Sequence, residues 1–131
     1  MSEETSSEET STRRALTISP AEFHILLALA DEDRHGYAIM QQVEAETGGA
    51  VTLGPGTLYG AIKRLVDGGL IRPSDEPDPG RDGRRKVYAL TGRGREAVRA
   101  EAARLQALVR LARTKRVLEP AVAPAPEPSR S

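Results

Sequence analysis

The stretch Gly54-Pro55-Gly56-Thr57-Leu58-Tyr59-Gly60-Ala61-Ile62-Lys63-Arg64-Leu65 constrains this chain more than any other. Helical spacing sets Leu58, Ile62 and Leu65 on one stripe, at i, i+4 and i+7, and so predicts a helix with an apolar back. The opposite stripe carries Gly56, Gly60 and Lys63, flanked by Tyr59 and Arg64, and no acid occurs before Asp67. A surface helix ordinarily turns a polar, solvated front outward. A front of two glycines, a phenol and two cations instead lets backbone come close to something flat and negatively charged, as a DNA major groove is.

The preceding segments supply a helix-turn-helix around it. Ser19-Pro20-Ala21-Glu22 reads as an N-cap, a proline at the first helical position and the acid of a capping box. Phe23, Ile25, Leu26, Leu27, Leu29 and Ala30 then cover well over half of that helix's circumference. One small domain is not expected to bury so much, which places Leu26 and Leu29 against a second subunit. Asp31-Glu32-Asp33-Arg34 ends the helix. A second helix is predicted from Gly36-Tyr37 to about Thr47, with Ile39, Met40 and Val43 on its core face and Gly48-Gly49 as its stop. Val51-Thr52-Leu53 is short and β-prone, Gly54-Pro55 opens the third helix, and Gly68-Gly69 closes it.

Leu70-Ile71-Arg72 reads as a strand and Lys86 to Leu90 as its return, with Tyr88 and Leu90 on one face. Between them, Pro73 to Gly83 holds three prolines, two glycines and four acids and reads as an exposed loop. Thr91 is placed to cap a last helix reaching about residue 116. Its Val98, Leu105, Leu108, Leu111 and Ala112 form a stripe too narrow to close a core and suited to a two-helix contact with another chain. The expected fold is mainly α with a small sheet (α+β), a winged helix-turn-helix followed by a long C-terminal helix. The expected divisions are a disordered acidic tail at 1–17, the winged domain at 18–90, a dimerisation helix at 91–116 and a disordered Pro/Ala-rich tail at 117–131.

The formal net charge of zero hides an uneven distribution. Residues 13–116 hold 18 of the 19 bases but 13 of the 19 acids, a net of about +5 that suits a phosphate-binding domain. There is no cysteine, and the two histidines, His24 and His35, stand eleven residues apart, so neither a disulfide framework nor a metal site is expected, and no cofactor. No apolar run approaches the ~20 residues of a membrane span. The acidic N-terminus is the reverse of a secretory signal, so a cytoplasmic protein without membrane contact is expected. No nucleophile–base pair, phosphate loop or carboxylate dyad falls within one compact element, which argues against an enzyme.

On the DNA reading each residue of the front has a task. Glycine inside a helix costs ~1 kcal/mol against alanine, and close approach to base edges would offset that at Gly56 and Gly60. The plain alternatives are a turn glycine at 56 and packing against a neighbour at 60. Tyr59 and Tyr37, near helix N-termini, are placed to donate to phosphates, or else are half-buried phenols with hydroxyls in water. Thr57 reaches a phosphate, a thymine methyl or only its own helix end. Lys63 and Arg64 are the groove or phosphate cations, read without a compensating acid nearby. Arg84, Arg85 and Lys86, with Arg81 after them, suit a basic wing against a minor groove or backbone. Asp75, Glu76, Asp78 and Asp82 of the same hairpin could neutralise them. His35 is read as structural, in a turn, and His24 as a surface or interface residue.

Taken together, His35-Gly36-Tyr37-Ala38-Ile39, Gly54 to Tyr59 with Lys63-Arg64-Leu65, Gly68-Gly69-Leu70-Ile71, and Arg84 to Thr91 with Gly94 resemble the PadR family of bacterial transcriptional regulators, over about residues 18–116. The single helix after the wing resembles the small subfamily, which has no separate C-terminal helical domain. Val87 stands where the family frequently has tyrosine. The resemblance implies a homodimer, mostly repressing, on double-stranded DNA operators of approximate two-fold symmetry. Some relatives of this type bind flat aromatic compounds between their dimer helices. Here no Phe, Tyr or Trp follows Tyr88, so aromatic stacking there is not expected, and a small aliphatic effector or none stays open. The rival reading of the chain is a winged helix that binds protein and not DNA, a class that lacks a basic, glycine-faced third helix.

Overall fold

The computed structural model describes residues 17–80 and 82–120; Arg81 and most of the tails expected at 1–17 and 117–131, namely residues 1–16 and 121–131, lie outside the described residues. In chain order the elements are α1 (Pro20–Ala28), β1 (Arg34–His35), α2 (Gly36–Glu46), α3 (Pro55–Asp67), β2 (Ile71–Pro77), β3 (Arg84–Leu90) and α4 (Gly92–Thr114). The mixed α+β architecture expected from the sequence is the one observed.

Local chemistry fixes the helix ends. The Ser19 hydroxyl accepts from the Glu22 N–H at 3.1 Å, while the Ser19 N–H donates to Glu22 Oε1 at 3.1 Å, a complete capping box for α1. The other end of α1 is closed by Arg34, whose Nε donates to the Ala28 carbonyl at 2.8 Å. The same guanidinium pairs with Asp31 at 3.5 Å and Glu32 at 3.3 Å. That answers one of the carbonyls a helix end leaves without an internal partner. At α4 the Thr91 hydroxyl accepts from the Gly94 N–H at 3.0 Å and donates to the Gly69 carbonyl at 2.7 Å, tying the helix start to the turn after α3. Gly48 and Gly49, with φ of +60° and +84°, turn the chain sharply after α2.

The sheet order is β1-β3-β2, antiparallel throughout. β1 is a strand the sequence did not announce; it pairs Arg34 with Tyr88 and His35 with Val87. β2 continues through Pro73 to Pro77, and β3 begins at Arg84, so the expected loop shrinks to residues 78–83. Prolines survive in β2 because it is an edge strand, where a missing N–H costs no ladder bond on its outer side. Val51-Thr52-Leu53 is not a strand, contrary to its propensity. The Val51 N–H is taken by Thr47 Oγ1 at 3.0 Å, and the segment joins none of the three strands of the sheet.

The chain divides into two compact units, one reaching Glu101 and one beginning at Ala102. In the first, Ile25, Leu26, Ile39, Val43, Leu58 and Leu65 are fully buried, each contributing roughly 1.5–3 kcal/mol of apolar burial. Leu26, Leu29 and Val98 belong to this core, which corrects their expected place at a dimer interface. Both α2 and α3 pack on α1, and together they cover a helix that looked too apolar for one small domain. Leu27 alone of the α1 leucines is left exposed.

In the second unit α4 runs on to Thr114 with Leu105, Leu108 and Leu111 exposed along it. Arg116 adopts φ +60°, its N–H donating to the Arg113 carbonyl at 3.0 Å and that of Val117 to Ala112 at 2.8 Å, a Schellman closure of the helix. Beyond it, Arg113 Nε donates to the Glu119 carbonyl at 3.2 Å, so hydrogen-bonded chain passes the boundary expected at 116. Among the described residues no helix is long and apolar enough to cross a membrane.

Candidate nucleic-acid interface

The front of α3 is open. Leu58, Ala61, Ile62 and Leu65 are buried, while Gly56, Thr57, Tyr59, Lys63 and Arg64 are exposed and Gly60 is half-buried. A Cβ built on Gly56 would meet nothing within 4 Å, and one built on Gly60 would meet only Arg64 Nη1 at 3.6 Å, an ordinary contact. Neither glycine has a positive φ. The protein's own packing and backbone therefore make no use of either missing side chain. Lys63 does have a compensating acid, contrary to expectation: Nζ lies 3.0 Å from Asp67 Oδ2, one turn along the helix. Both ends of that pair are well exposed, so it is worth only ~0.3–0.5 kcal/mol and opens readily to a competing phosphate.

Beside α3, His35, Tyr37, Tyr59, Asp78, Arg85, Lys86 and Tyr88 line an open cleft of about 580 Å³. The fold thus brings both tyrosines singled out in the sequence together with two of the three wing cations. Arg84 is not among them; its Nη2 donates to the Asp75 carbonyl at 2.8 Å, which holds it along the hairpin. Arg85 Nε is buried without a hydrogen-bond partner, a costly position that an incoming acceptor would relieve. The register sets Glu76 opposite Arg85 and Asp75 opposite Lys86. Even so, among the described residues none of the wing acids comes within ion-pair distance of Arg84, Arg85 or Lys86. The Tyr88 hydroxyl is pushed above its ordinary pKa, first by burial and then by the nearby Tyr59, and stays a neutral donor.

His35 has a task that its place in the sequence did not disclose. It is the N-cap of α2, with Nδ1 accepting from the Ala38 N–H at 3.3 Å. An accepting Nδ1 must be unprotonated. Burial, and secondarily Arg85, hold its pKa below the ordinary 6.5, against a smaller opposing pull from Asp78. The unfolded chain then binds the proton more readily than the folded one, so stability rises with pH in this window. His35 should contribute its full share above pH ~6.5, and that share should be lost as pH falls through the lower folded value. His35→Asn, which keeps a capping oxygen without titrating, should flatten the fall in thermal midpoint as pH drops below about 6.5. Parallel melts of the two proteins would measure it, and identical pH profiles would remove His35 from the cap.

Of the residues expected at a dimer contact, Leu105, Leu108 and Leu111 are exposed and Ala112 half-buried, while Leu26, Leu29 and Val98 are interior as described. The sequence reading passed over Gly36, whose backbone lies under the Tyr59 ring. Glycine at a helix start is unremarkable in sequence, and what makes it necessary here comes from α3.

Residues 25–100 match the model of the transcriptional regulator PadR-like family. A Streptomyces fradiae protein, the "uncharacterized 37.1 kDa protein in transposon TN4556", is 44% identical over 82 residues, which make up 63% of this chain and 22% of that protein. The chain therefore spans about a fifth of that relative's length. The crystal structure of a PadR family transcription regulator from hypervirulent Clostridium difficile R20291 superposes with a TM-score of 0.65 at 26% identity, covering 73% of this chain and 97% of that one. Bacillus subtilis PadR in complex with operator DNA shares the fold, with a TM-score of 0.58 at 19% identity over 88% of this chain and 55% of that one. With a winged helix-turn-helix in place and more than half its length matched, the chain belongs to the transcriptional regulator PadR-like family.

Proposed function

We propose that the chain is a sequence-specific repressor that sits on a pseudo-palindromic operator as a homodimer, with α3 in the major groove and the wing on the adjoining backbone or minor groove. The observation that carries this reading is the bare stripe of Gly56 and Gly60 between Tyr59, Lys63 and Arg64. It costs helix stability, and nothing inside the protein uses it. A helix enters the major groove only as far as its front side chains allow, so a glycine front brings Thr57 and the backbone closer to base edges. Lys63, Arg64, Arg84, Arg85 and Lys86 supply attraction that does not depend on sequence, and the Tyr37 and Tyr59 hydroxyls donate to phosphates and set the register. Leu105, Leu108, Leu111 and Ala112 form the contact between subunits. Bacillus subtilis PadR, captured with operator DNA on the same fold, supports the assignment.

Selection of duplexes bound by the full chain from a random pool tests this directly. Enriched sequences should carry two related half-sites spaced by about one duplex turn, 10–10.5 base pairs, or a multiple of it. On the enriched duplex, Lys63→Gln should lower the slope of log affinity against log salt by about 1 for each Lys63 that neutralises a phosphate. A wild-type protein that retains no duplex even at low salt, and enriches none, would be a protein-binding winged helix instead.

A further inference from the structure

We infer that Gly36 is a positioning residue for DNA binding: its bare backbone is the seat on which the Tyr59 phenol rests at the mouth of the cleft. The inference builds on the DNA-binding reading of this face. Gly36 is the first residue of α2 and is buried, although Tyr37 beside it is exposed. A Cβ at this position would stand 2.7 Å from the Tyr59 hydroxyl oxygen, 2.9 Å from Cε1 and 3.1 Å from Cζ. Three atoms at the outer edge of one ring would be met at once, closer than a methyl tolerates. The φ of Gly36 is not positive, so the backbone does not require glycine there, and alanine is the better helix former. What the absent methyl provides is room for the ring.

Tyr59 is 52% exposed, so burial alone does not hold it. Its contact with Gly36 limits where the ring can swing, and that contact joins α3 to the start of α2, in the cleft that also holds Arg85 and Lys86. A hydroxyl already in position donates to a phosphate without first being ordered. Losing that order should weaken binding by about three- to ten-fold. The loss should be equal on mixed-sequence and enriched duplexes, because a phosphate contact carries no sequence information. The salt slope should not change, because a phenol is neutral and releases no counterion; this separates Gly36→Ala from Lys63→Gln.

A double-mutant cycle in the full chain, read by fluorescence anisotropy on mixed-sequence duplex at low salt and on the enriched duplex, tests it. Gly36→Ala should cost its three- to ten-fold in the wild-type background and nothing further in Tyr59→Ala, where the ring it would displace is gone. The thermal midpoint of Gly36→Ala should stay within about 5 °C of wild type. A loss of equal size in both backgrounds, no loss in either, or a larger fall in midpoint that persists in Tyr59→Ala would each overturn the positioning role. Wild-type protein that binds neither duplex would overturn the DNA-binding reading instead. In that event a nuclear Overhauser contact between the Tyr59 ring and the Gly36 α-protons still decides whether the seat exists.

Discussion

Gly94→Ala should destabilise the folded domain by roughly 3 kcal/mol, the upper end of what overpacking a well-packed site usually costs. A Cβ on Gly94 would overlap the Leu70 carbonyl oxygen and lie 2.8 Å from Leu90 Cδ1 and 2.9 Å from the Leu70 carbonyl carbon. The first two obstacles differ in kind. Leu90 is a side chain and can turn aside, but Leu70 is backbone at the start of the wing, with its carbonyl already accepting from the Thr91 N–H at 3.1 Å. Relief therefore requires α4 to move away from β2. That movement would strain the Thr91 hydroxyl's bonds to Gly94 and Gly69 and open the core beside Ala97 and Val98. For a domain of this size the penalty corresponds to a thermal midpoint lowered by on the order of 15 °C, measurable by circular dichroism. A variant melting within about 2 °C of wild type would mean that α4 packs on the wing more loosely than described.

In the homodimer proposed above, Leu108→Glu should separate the subunits and lower operator affinity by about a hundred-fold or more, the avidity lost when two linked contacts become one. Leu105, Leu108 and Leu111 recur every three residues on α4 and are 36%, 47% and 48% exposed. Each gives up to ~1.5–3 kcal/mol if a partner helix covers it fully. A glutamate at the centre of the stripe removes the middle contact. In a two-fold arrangement it also brings two like charges together. Glutamate is itself a good helix former, so helicity should hardly change. Sedimentation equilibrium should report a monomer while circular dichroism reports an intact fold. Retention of the dimer mass would place the subunit contact elsewhere.

The two glycine effects show how unevenly the fold was legible. Gly56 and Gly60 were conspicuous because they interrupt a periodic helix, and periodicity is a local property. Gly36 and Gly94 sit at helix starts, where glycine is unremarkable, and what makes each necessary comes from another element: Tyr59 of α3 for one, the Leu70 backbone for the other. β1 was invisible for a similar reason. Two residues carry no pattern, and Arg34 and His35 are a strand only because β3 lies alongside them. Pro73 and Pro77 argued for a loop until the sheet order showed that β2 is an edge. Asp67 stands at the i+4 position that a helix brings beside Lys63, so that pair was legible from spacing alone.

The sequence by itself determined where each helix begins, to within a residue or two, and which way α3 faces. Caps, prolines, glycines and a 3.6-residue period act within a few residues, and the Ser19–Glu22 box, the Thr91 cap and the Leu58–Ile62–Leu65 stripe all lie where those rules put them. Tertiary structure decided which apolar residues were left over. Leu26 and Leu29 became core because α2 and α3 pack on α1, and Val98 joined the same cluster, whereas Leu105, Leu108 and Leu111 stayed at the surface. It also decided that His35, Tyr37, Tyr59 and Arg85 share one cleft. Burial and proximity depend on residues far apart in the chain, and no local pattern encodes them.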